Sequence, residues 1–236
     1  MRRYLLSATI LALGVTGAHA ADLVIDEPPA VVSSASYDWS GFYAGVHGGL
    51  GRGTDASVYD VDPVGPPLVT IVPNLALSGA LAGVQVGVDH QWGAFVLGAE
   101  GRISWTNLSG TNGPAGFGGA IDTVNGKFEA TLLGRAGYAF DRFLPYVTAG
   151  VSALNYDRQV SVPPAVSSAN STALGLSVGV GSKIAVNDHV VLFGEYLHTA
   201  YGQTTTKTPG SPAVFGETIQ DTITTDKIVV GLNWRF

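Results

Sequence analysis

Hydrophobic and polar residues alternate with a period of two along most of the chain after residue 40. In Phe95–Trp105 the odd positions carry Phe, Leu, Ala, Gly, Ile and Trp, whereas the even positions carry Val, Gly, Glu, Arg and Ser. Because successive side chains of a β-strand point to opposite faces, this segment is predicted to be a strand with one apolar and one polar face. The same alternation, weaker at the first segment, predicts eight strands in all. They are Phe42–Gly51, Leu81–His90, Phe95–Trp105, Lys127–Tyr138, Leu144–Asn155, Ala173–Ile184, Val190–Tyr201 and Asp226–Phe236.

The connections between these strands alternate between short and long. Short turns are predicted at Gln91–Ala94, Ala139–Phe143 and Ala185–Asp188, and long loops rich in Gly, Pro, Ser, Thr and Asn at 52–79, 106–126, 156–171 and 202–224. Short turns at one end and long loops at the other are typical of an outer-membrane barrel, whose short turns are periplasmic. Strands of about ten residues are also long enough to cross a bilayer when tilted. We therefore predict an all-β fold, an eight-stranded antiparallel up-and-down transmembrane β-barrel with both termini in the periplasm.

A soluble barrel of the lipocalin type would show the same alternation with its apolar face inside. Only 13% of the residues are charged and 32 of 236 are Gly, and the polar strand faces hold mostly small residues. A surface in water would carry many more Lys and Glu, whereas small residues with few charges suit a narrow interior. Aromatic residues near the strand ends favour the membrane barrel, with two interfacial bands; the soluble periplasmic carrier is the alternative. The aromatic residues are Phe42, Trp92, Phe95, Trp105, Phe128, Tyr138, Phe140, Phe143, Tyr156, Tyr201, Trp234 and Phe236.

The N-terminal residues have the features of a secretory signal peptide. Arg2 and Arg3 form a charged start, Leu5–Val15 is a short apolar run, and Ala18-His19-Ala20 is a cleavage site of small residues. We predict a signal peptide at 1–20, a flexible periplasmic tether at 21–40 and an outer-membrane barrel at 41–236.

Composition excludes several other kinds of function. The chain has no Cys, which rules out disulfides and thiolate chemistry, and its net charge of −6 does not suit a nucleic-acid ligand. Neither a G-x-S-x-G motif nor a Ser within two residues of His198 is present, so we expect no enzyme. Asp60-Val61-Asp62 lacks the remaining spacing of an EF-hand, and we expect no metal site.

The polar strand faces carry ten charged side chains that the alternation directs into the barrel. An unpaired buried charge is costly, so these side chains are predicted to form a salt-bridge network that fills the interior, with a narrow ion path as the alternative. The predicted network consists of Asp89, Glu100, Arg102, Lys127, Glu129, Arg135, Lys183, Glu195, Lys227 and Arg235.

Three segments resemble a known group of proteins. They are Tyr37-Asp38-Trp39-Ser40-Gly41-Phe42-Tyr43, Gly194-Glu195-Tyr196-Leu197 and Val230-Gly231-Leu232-Asn233-Trp234-Arg235-Phe236. The chain resembles the small alphaproteobacterial outer-membrane β-barrel proteins of the immunogenic-porin or haemin-binding type, within the OmpA-like superfamily. The resemblance implies that Trp234 and the terminal Phe236 form a signal for the outer-membrane assembly machinery. It also implies a structural envelope role, with porin-like or haem-binding roles in some members.

We therefore expect a structural outer-membrane protein that supports envelope integrity and displays long surface loops. The alternatives are a narrow porin and a surface protein that binds haem or a host ligand. His198 with Tyr201 or Tyr156 is the candidate haem site, but a role for His198 at the barrel rim is favoured, and no cofactor is expected. The expected partners are outer-membrane lipid, lipopolysaccharide and the assembly machinery; a homo-oligomer is an open alternative, and no nucleic acid is expected.

Overall fold

The computed structural model describes residues 37–60, 69–71, 75–112, 121–162, 165–207 and 218–236. All regular secondary structure in these ranges is β-strand, and none of their residues form a helix that is long and apolar enough to span a membrane. The predicted signal peptide and the predicted tether up to residue 36 lie outside the described residues. The strands are β1 (Gly41–Asp60), β2 (Val69–Ile71), β3 (Leu75–Trp92), β4 (Phe95–Thr106), β5 (Ser109–Asn112), β6 (Ile121–Tyr138), β7 (Phe143–Val162), β8 (Ala165–Ala185), β9 (Val190–Tyr201), β10 (Thr204–Lys207) and β11 (Thr218–Arg235).

Eight long strands form one closed antiparallel sheet, as the alternation predicts. Each long strand pairs with the next one along the chain, and β11 returns to pair with β1 from Tyr43↔Arg235 to Asp60↔Thr218. The short strands β2, β5 and β10 add to the sheet beyond this barrel wall. Closure leaves no open strand edge within the part of the wall that faces lipid, which a hydrocarbon environment requires.

The two ends of the barrel differ in their connections. Residues 93–94, 139–142 and 186–189 make short turns at one end, here called the turn end, and the opposite end is called the loop end. Gly93 has a φ of +61°, which allows the tight turn between β3 and β4.

Several strands continue far into the segments that were predicted as loops. The hairpin of β7 and β8 is paired along its whole length, from Phe143↔Ile184 to Val162↔Ala165, so the prediction of a loop at 156–171 is wrong. At roughly 3.3 Å per residue, these strands exceed the roughly 10 residues that cross a bilayer, and the hairpin projects beyond the loop end. Its sequence shows little contrast between apolar and polar faces, because both faces of a strand outside the membrane can be polar.

The two faces of the wall carry different chemistry. Many exposed side chains on the outer face are aliphatic, although Leu, Val and Ile are ordinarily buried in water-soluble proteins. Examples are Val46, Leu50, Val84, Val86, Leu97, Ile103, Leu132, Val147, Val151, Leu176, Val178, Val180, Leu192, Ile228 and Val230. The inner face carries most of the polar side chains and many of the glycines.

Ten of the twelve aromatic residues predicted at the membrane interfaces are exposed on the outer face. Tyr156 and Tyr201 are instead buried inside the barrel, so their assignment to an interfacial band is wrong. Each has the same strand parity as its inward-facing neighbours, Leu154 for Tyr156 and Thr199 for Tyr201. The face that a side chain occupies is therefore set by its place in the alternation along the strand, even near a strand end.

Residues Tyr37–Ser40, here called the N-terminal strap, close the turn end of the barrel. The Trp39 side chain is fully buried, and its backbone N–H donates to Gln91 Oε1 at 2.8 Å. Asp141 holds the strap twice, because its Oδ1 accepts from the Tyr37 N–H and its carbonyl accepts from Trp39 Nε1, each at 2.9 Å. Arg235 donates from Nη2 to the Trp39 carbonyl. The predicted tether therefore extends too far at 37–40, where the chain is packed against the barrel.

We predict that Gly87→Val destabilises the barrel by about 2 kcal/mol, whereas Gly134→Val has little effect. A Cβ at Gly87 would overlap the ring of Tyr43 inside the barrel. The nearest atom to a Cβ at Gly134, on the outer face, is the Ala149 carbonyl oxygen at 3.7 Å. The stability of both variants is measured by urea denaturation in lipid vesicles, with the folded fraction read from heat-modifiable gel migration. Equal losses in the two variants would contradict a tightly filled interior.

Candidate functional site

The interior next to the turn end is organised around the carboxylate of Asp89. Lys183 Nζ lies 2.7 Å from Asp89 Oδ2, Arg235 Nη1 3.6 Å from the same oxygen, and Arg135 Nη1 3.7 Å from Oδ1. All four side chains are buried. They come from β3, β6, β8 and β11, so one carboxylate ties together strands from around the barrel.

Two glutamates and two arginines continue this cluster toward the middle of the barrel. Arg102 binds Glu100 through Nε and Glu195 Oε1 through Nη1, the latter at 2.6 Å. Arg135 Nη2 lies 3.1 Å from Glu100 Oε2, and Tyr43 donates to that oxygen at 2.7 Å. Each carboxylate thus faces at least one guanidinium, which offsets the cost of removing these charges from water.

Uncharged polar side chains fill the level above the charged cluster. His47 bonds Gln85 Oε1 through Nδ1 at 2.6 Å and the Ser104 hydroxyl through Nε2 at 2.8 Å. Gln85 donates in turn to Asn233 Oδ1 at 2.7 Å. Four hydroxyls also form a hydrogen-bonded row across neighbouring strands, in the order Thr131, Ser152, Ser177 and Thr199.

The structure brings nine of the ten predicted interior charges into the barrel. Seven belong to the cluster just described, and Lys227 pairs separately with Glu129 through Nζ. Lys127 is the exception, because its side chain is 55% exposed and its Nζ lies 2.6 Å from Asp157 Oδ2. The register between β6 and β7 shifts between Gly126 and Phe128, which marks a β-bulge. This extra residue turns Lys127 outward, so its assignment to the interior is wrong.

Apolar side chains also occupy the interior, and most of them were not predicted there; Val96, on the polar face of its predicted strand, is an exception. One cluster lies under the loop end and another packs around the N-terminal strap at the turn end. The first consists of Leu75, Leu77, Leu108, Val124, Leu154, Tyr156, Ala173, Tyr201 and Ile223, and the second of Tyr37, Trp39, Val96, Leu144, Ala185 and Val191.

A further buried cation closes the loop end of the interior. Arg158 on β7 contacts Asp55 Oδ2 at 3.4 Å and donates from Nε to Asp122 Oδ1 at 3.2 Å. Sequence reasoning missed all three residues because they lie outside the predicted strands. The alternation of inward Leu154, Tyr156 and Arg158 on β7 is the signal that could have found Arg158.

The residues of the candidate haem site lie on opposite faces of the wall. His198 is exposed, and its Nδ1 is 2.7 Å from Asp226 Oδ1, which also accepts a hydrogen bond from Tyr196. Tyr156 and Tyr201 are buried inside. One haem iron therefore cannot be ligated by His198 together with either of these tyrosines. The predicted assembly signal, Trp234 and Phe236, lies exposed on the outer face at the turn end.

A closed antiparallel barrel with an aliphatic outer face and paired charges inside defines an integral outer-membrane β-barrel protein. The chain belongs to the outer membrane protein beta-barrel domain family, whose model matches residues 8–236.

Relatives of known name support the same class. The chain is 28% identical to a 31 kDa outer-membrane immunogenic protein of Brucella melitensis over 242 residues, which cover 97% of this chain and 98% of the relative. It is 27% identical to a 25 kDa outer-membrane immunogenic protein of Brucella abortus, covering 98% of this chain and 96% of the relative.

Solved structures share the fold at low sequence identity. The outer membrane protein OprG from Pseudomonas aeruginosa superposes with a TM-score of 0.56 at 13% identity, covering 84% of this chain and 97% of that one. The outer membrane protease OmpT from Escherichia coli superposes with a TM-score of 0.52 at 10% identity, covering 86% and 99%. These likenesses concern the fold alone.

We predict that Asp89→Asn destabilises the barrel by about 3 kcal/mol or more, because it leaves three buried cations facing a neutral amide. Asp188→Asn is the matched control. Asp188 pairs with Arg142 at 3.1 Å on the surface of a turn, where an ion pair contributes at most about 1 kcal/mol. The urea denaturation midpoints of the two variants in lipid vesicles measure the difference. Similar midpoints would contradict a stabilising role for the interior cluster.

Proposed function

We propose that the protein is a structural component of the outer membrane, which supports envelope integrity and displays the loop end of its barrel at the cell surface. The observation that carries this proposal is the filled interior. Its charges are paired, and it is covered by Trp39 at the turn end and by Arg158 at the loop end. A barrel filled in this way suits a structural role better than transport of solutes.

The proposal places the turn end and both termini in the periplasm. It is supported by the long β7–β8 hairpin, since outer-membrane barrels carry their short turns on the periplasmic side and their longer connections outside.

The proposal includes no catalytic step. Among the described residues, the exposed His198–Asp226 pair has the Tyr196 hydroxyl as its hydrogen-bonded neighbour rather than a serine.

Deletion of the gene tests the structural role directly. We predict that the deletion strain becomes sensitive to detergents and large antibiotics, and that plasmid-borne protein restores resistance. The Asp188→Asn variant, altered only on the surface, should restore resistance as well as the unaltered protein. A deletion strain with normal resistance and normal release of periplasmic proteins would overturn the proposal.

A narrow ion channel is the second candidate function, supported by the polar row of hydroxyls and by the charges in the interior. The filled interior predicts that the purified protein gives no steady conductance steps in planar bilayers, because eight strands leave room for side chains only. A general porin added to the same bilayer shows that the assay can detect channels. Reproducible steps from the protein itself would favour the channel.

A further inference from the structure

An organised group of polar side chains lies on the outer face of the wall, just above the aliphatic band on the loop-end side. We call it the rim cluster; it consists of Lys127, Asn155, Asp157, Asn170 and Thr172. Asp157 accepts from Lys127 Nζ at 2.6 Å and, through Oδ1, from Asn170 Nδ2 at 2.8 Å. Asn155 donates to Asn170 Oδ1 at 3.0 Å and to the Thr172 hydroxyl at 3.3 Å.

The β-bulge at Lys127 adds this cation to the cluster. Without the extra residue, strict alternation would direct Lys127 into the barrel beside Glu129, where Lys227 is already paired with that carboxylate. Lys127 uses one of its three donors on Asp157, and its exposed ammonium keeps donors for another group. Hydrogen bonds from Asn170 and Lys127 hold the pKa of the Asp157 carboxyl below its ordinary value, so this acceptor stays ionised at neutral pH.

Two aromatic side chains stand beside the polar groups, in the same register row as Asn155 and Thr172. Trp105 and Phe128 are neighbours in register on β4 and β6, and Phe128 is in turn level with Asn155 on β7. Both rings are exposed, Trp105 to 62% and Phe128 to 41%. An exposed aromatic ring can stack on the apolar face of a sugar, and neighbouring amide and carboxylate groups can bind the sugar's hydroxyl groups. This combination of side chains therefore suits a sugar ligand.

The next row down forms a shallow apolar groove. Ile103, Ala130, Ala153 and Leu174 lie level on four adjacent strands, so that two small side chains stand between two large ones. Leu132, Val151 and Leu176 continue the apolar surface below, and all seven residues line one depression in the structure. An acyl chain fits this surface.

We propose that this face of the barrel binds a glycolipid of the outer leaflet, with its acyl chains along the alanine groove and its phosphorylated sugar headgroup on the rim cluster. Up the wall, the aliphatic groove is followed by the row that holds the aromatic rings and the Asn155 amide, and then by the Asp157 carboxylate with its Lys127 and Asn170 partners. This order matches such a ligand in one direction only. A phospholipid would use the groove and Lys127 but would leave the amides and the Asp157 carboxylate without hydroxyl donors. The placement of this glycolipid in the outer leaflet rests on the proposed function, in which the turn end lies in the periplasm. Binding of the glycolipid to the protein in micelles does not depend on that orientation.

The test measures binding of lipid A by the full folded chain in detergent micelles, with bound lipid counted by native mass spectrometry. We expect Lys127→Gln to weaken binding of bisphosphorylated lipid A about fivefold. Arg52→Gln is the matched control, because Arg52 is an exposed cation of β1, three strands away, and it should leave binding unchanged. Dephosphorylated lipid A should bind the unaltered protein and the Lys127→Gln variant equally.

Two further comparisons test the contributions of the alanine groove and of the sugar headgroup separately. Ala153→Trp fills the groove and should weaken binding of lipid A, whereas Ala44→Trp, on the outer face of β1, should not. Phosphatidylglycerol, which carries a phosphate but no sugar, should bind more weakly than lipid A. Ala153→Trp should weaken its binding as well, because its acyl chains would occupy the same groove. Equal losses in Lys127→Gln and Arg52→Gln, or equal affinities for lipid A and phosphatidylglycerol, would overturn the proposal. Heat-modifiable migration confirms that each variant is folded before it is compared.

Discussion

The pairing of β1 with β11 is the interaction on which the rest of this structure depends. Lipid offers no hydrogen-bond partners, so a sheet can remain there only when its first and last strands meet and every backbone group in the hydrocarbon is paired. Closure with eight strands also sets the width of the interior, which side chains must then fill. Close approaches, such as Gly87 against the Tyr43 ring, follow from that narrowness.

The composition of the interior follows from the same constraint. Charged side chains can occupy a space without room for bulk water only in mutual contact, and Asp89 accordingly faces three cations. Toward the loop end an apolar cluster occupies the interior, and the buried Arg158 lies beyond it with Asp55 and Asp122 as its partners. The outer surface has the opposite requirement and is aliphatic wherever it faces lipid.

The sequence was sufficient to predict the strands inside the membrane, because there the two faces differ in chemistry and the period of two is visible. It was insufficient where that contrast ends. The upper halves of β7 and β8 are polar on both faces, which concealed Arg158, and the strap is too short to show any period. Lys127 was misplaced for a different reason: one inserted residue reverses the parity of a strand. On β6 the inward positions Asp122 and Val124 are even, whereas Glu129 beyond the bulge is odd, which records that reversal.

The strap also imposes an order on events during biogenesis. The Trp39 carbonyl accepts a hydrogen bond from Arg235, which lies 196 residues further along the chain on β11. The strap can therefore reach its final position only after β11 has paired with β1 and brought Arg235 to the turn end. Sealing of the turn end is thus a consequence of barrel closure and cannot precede it.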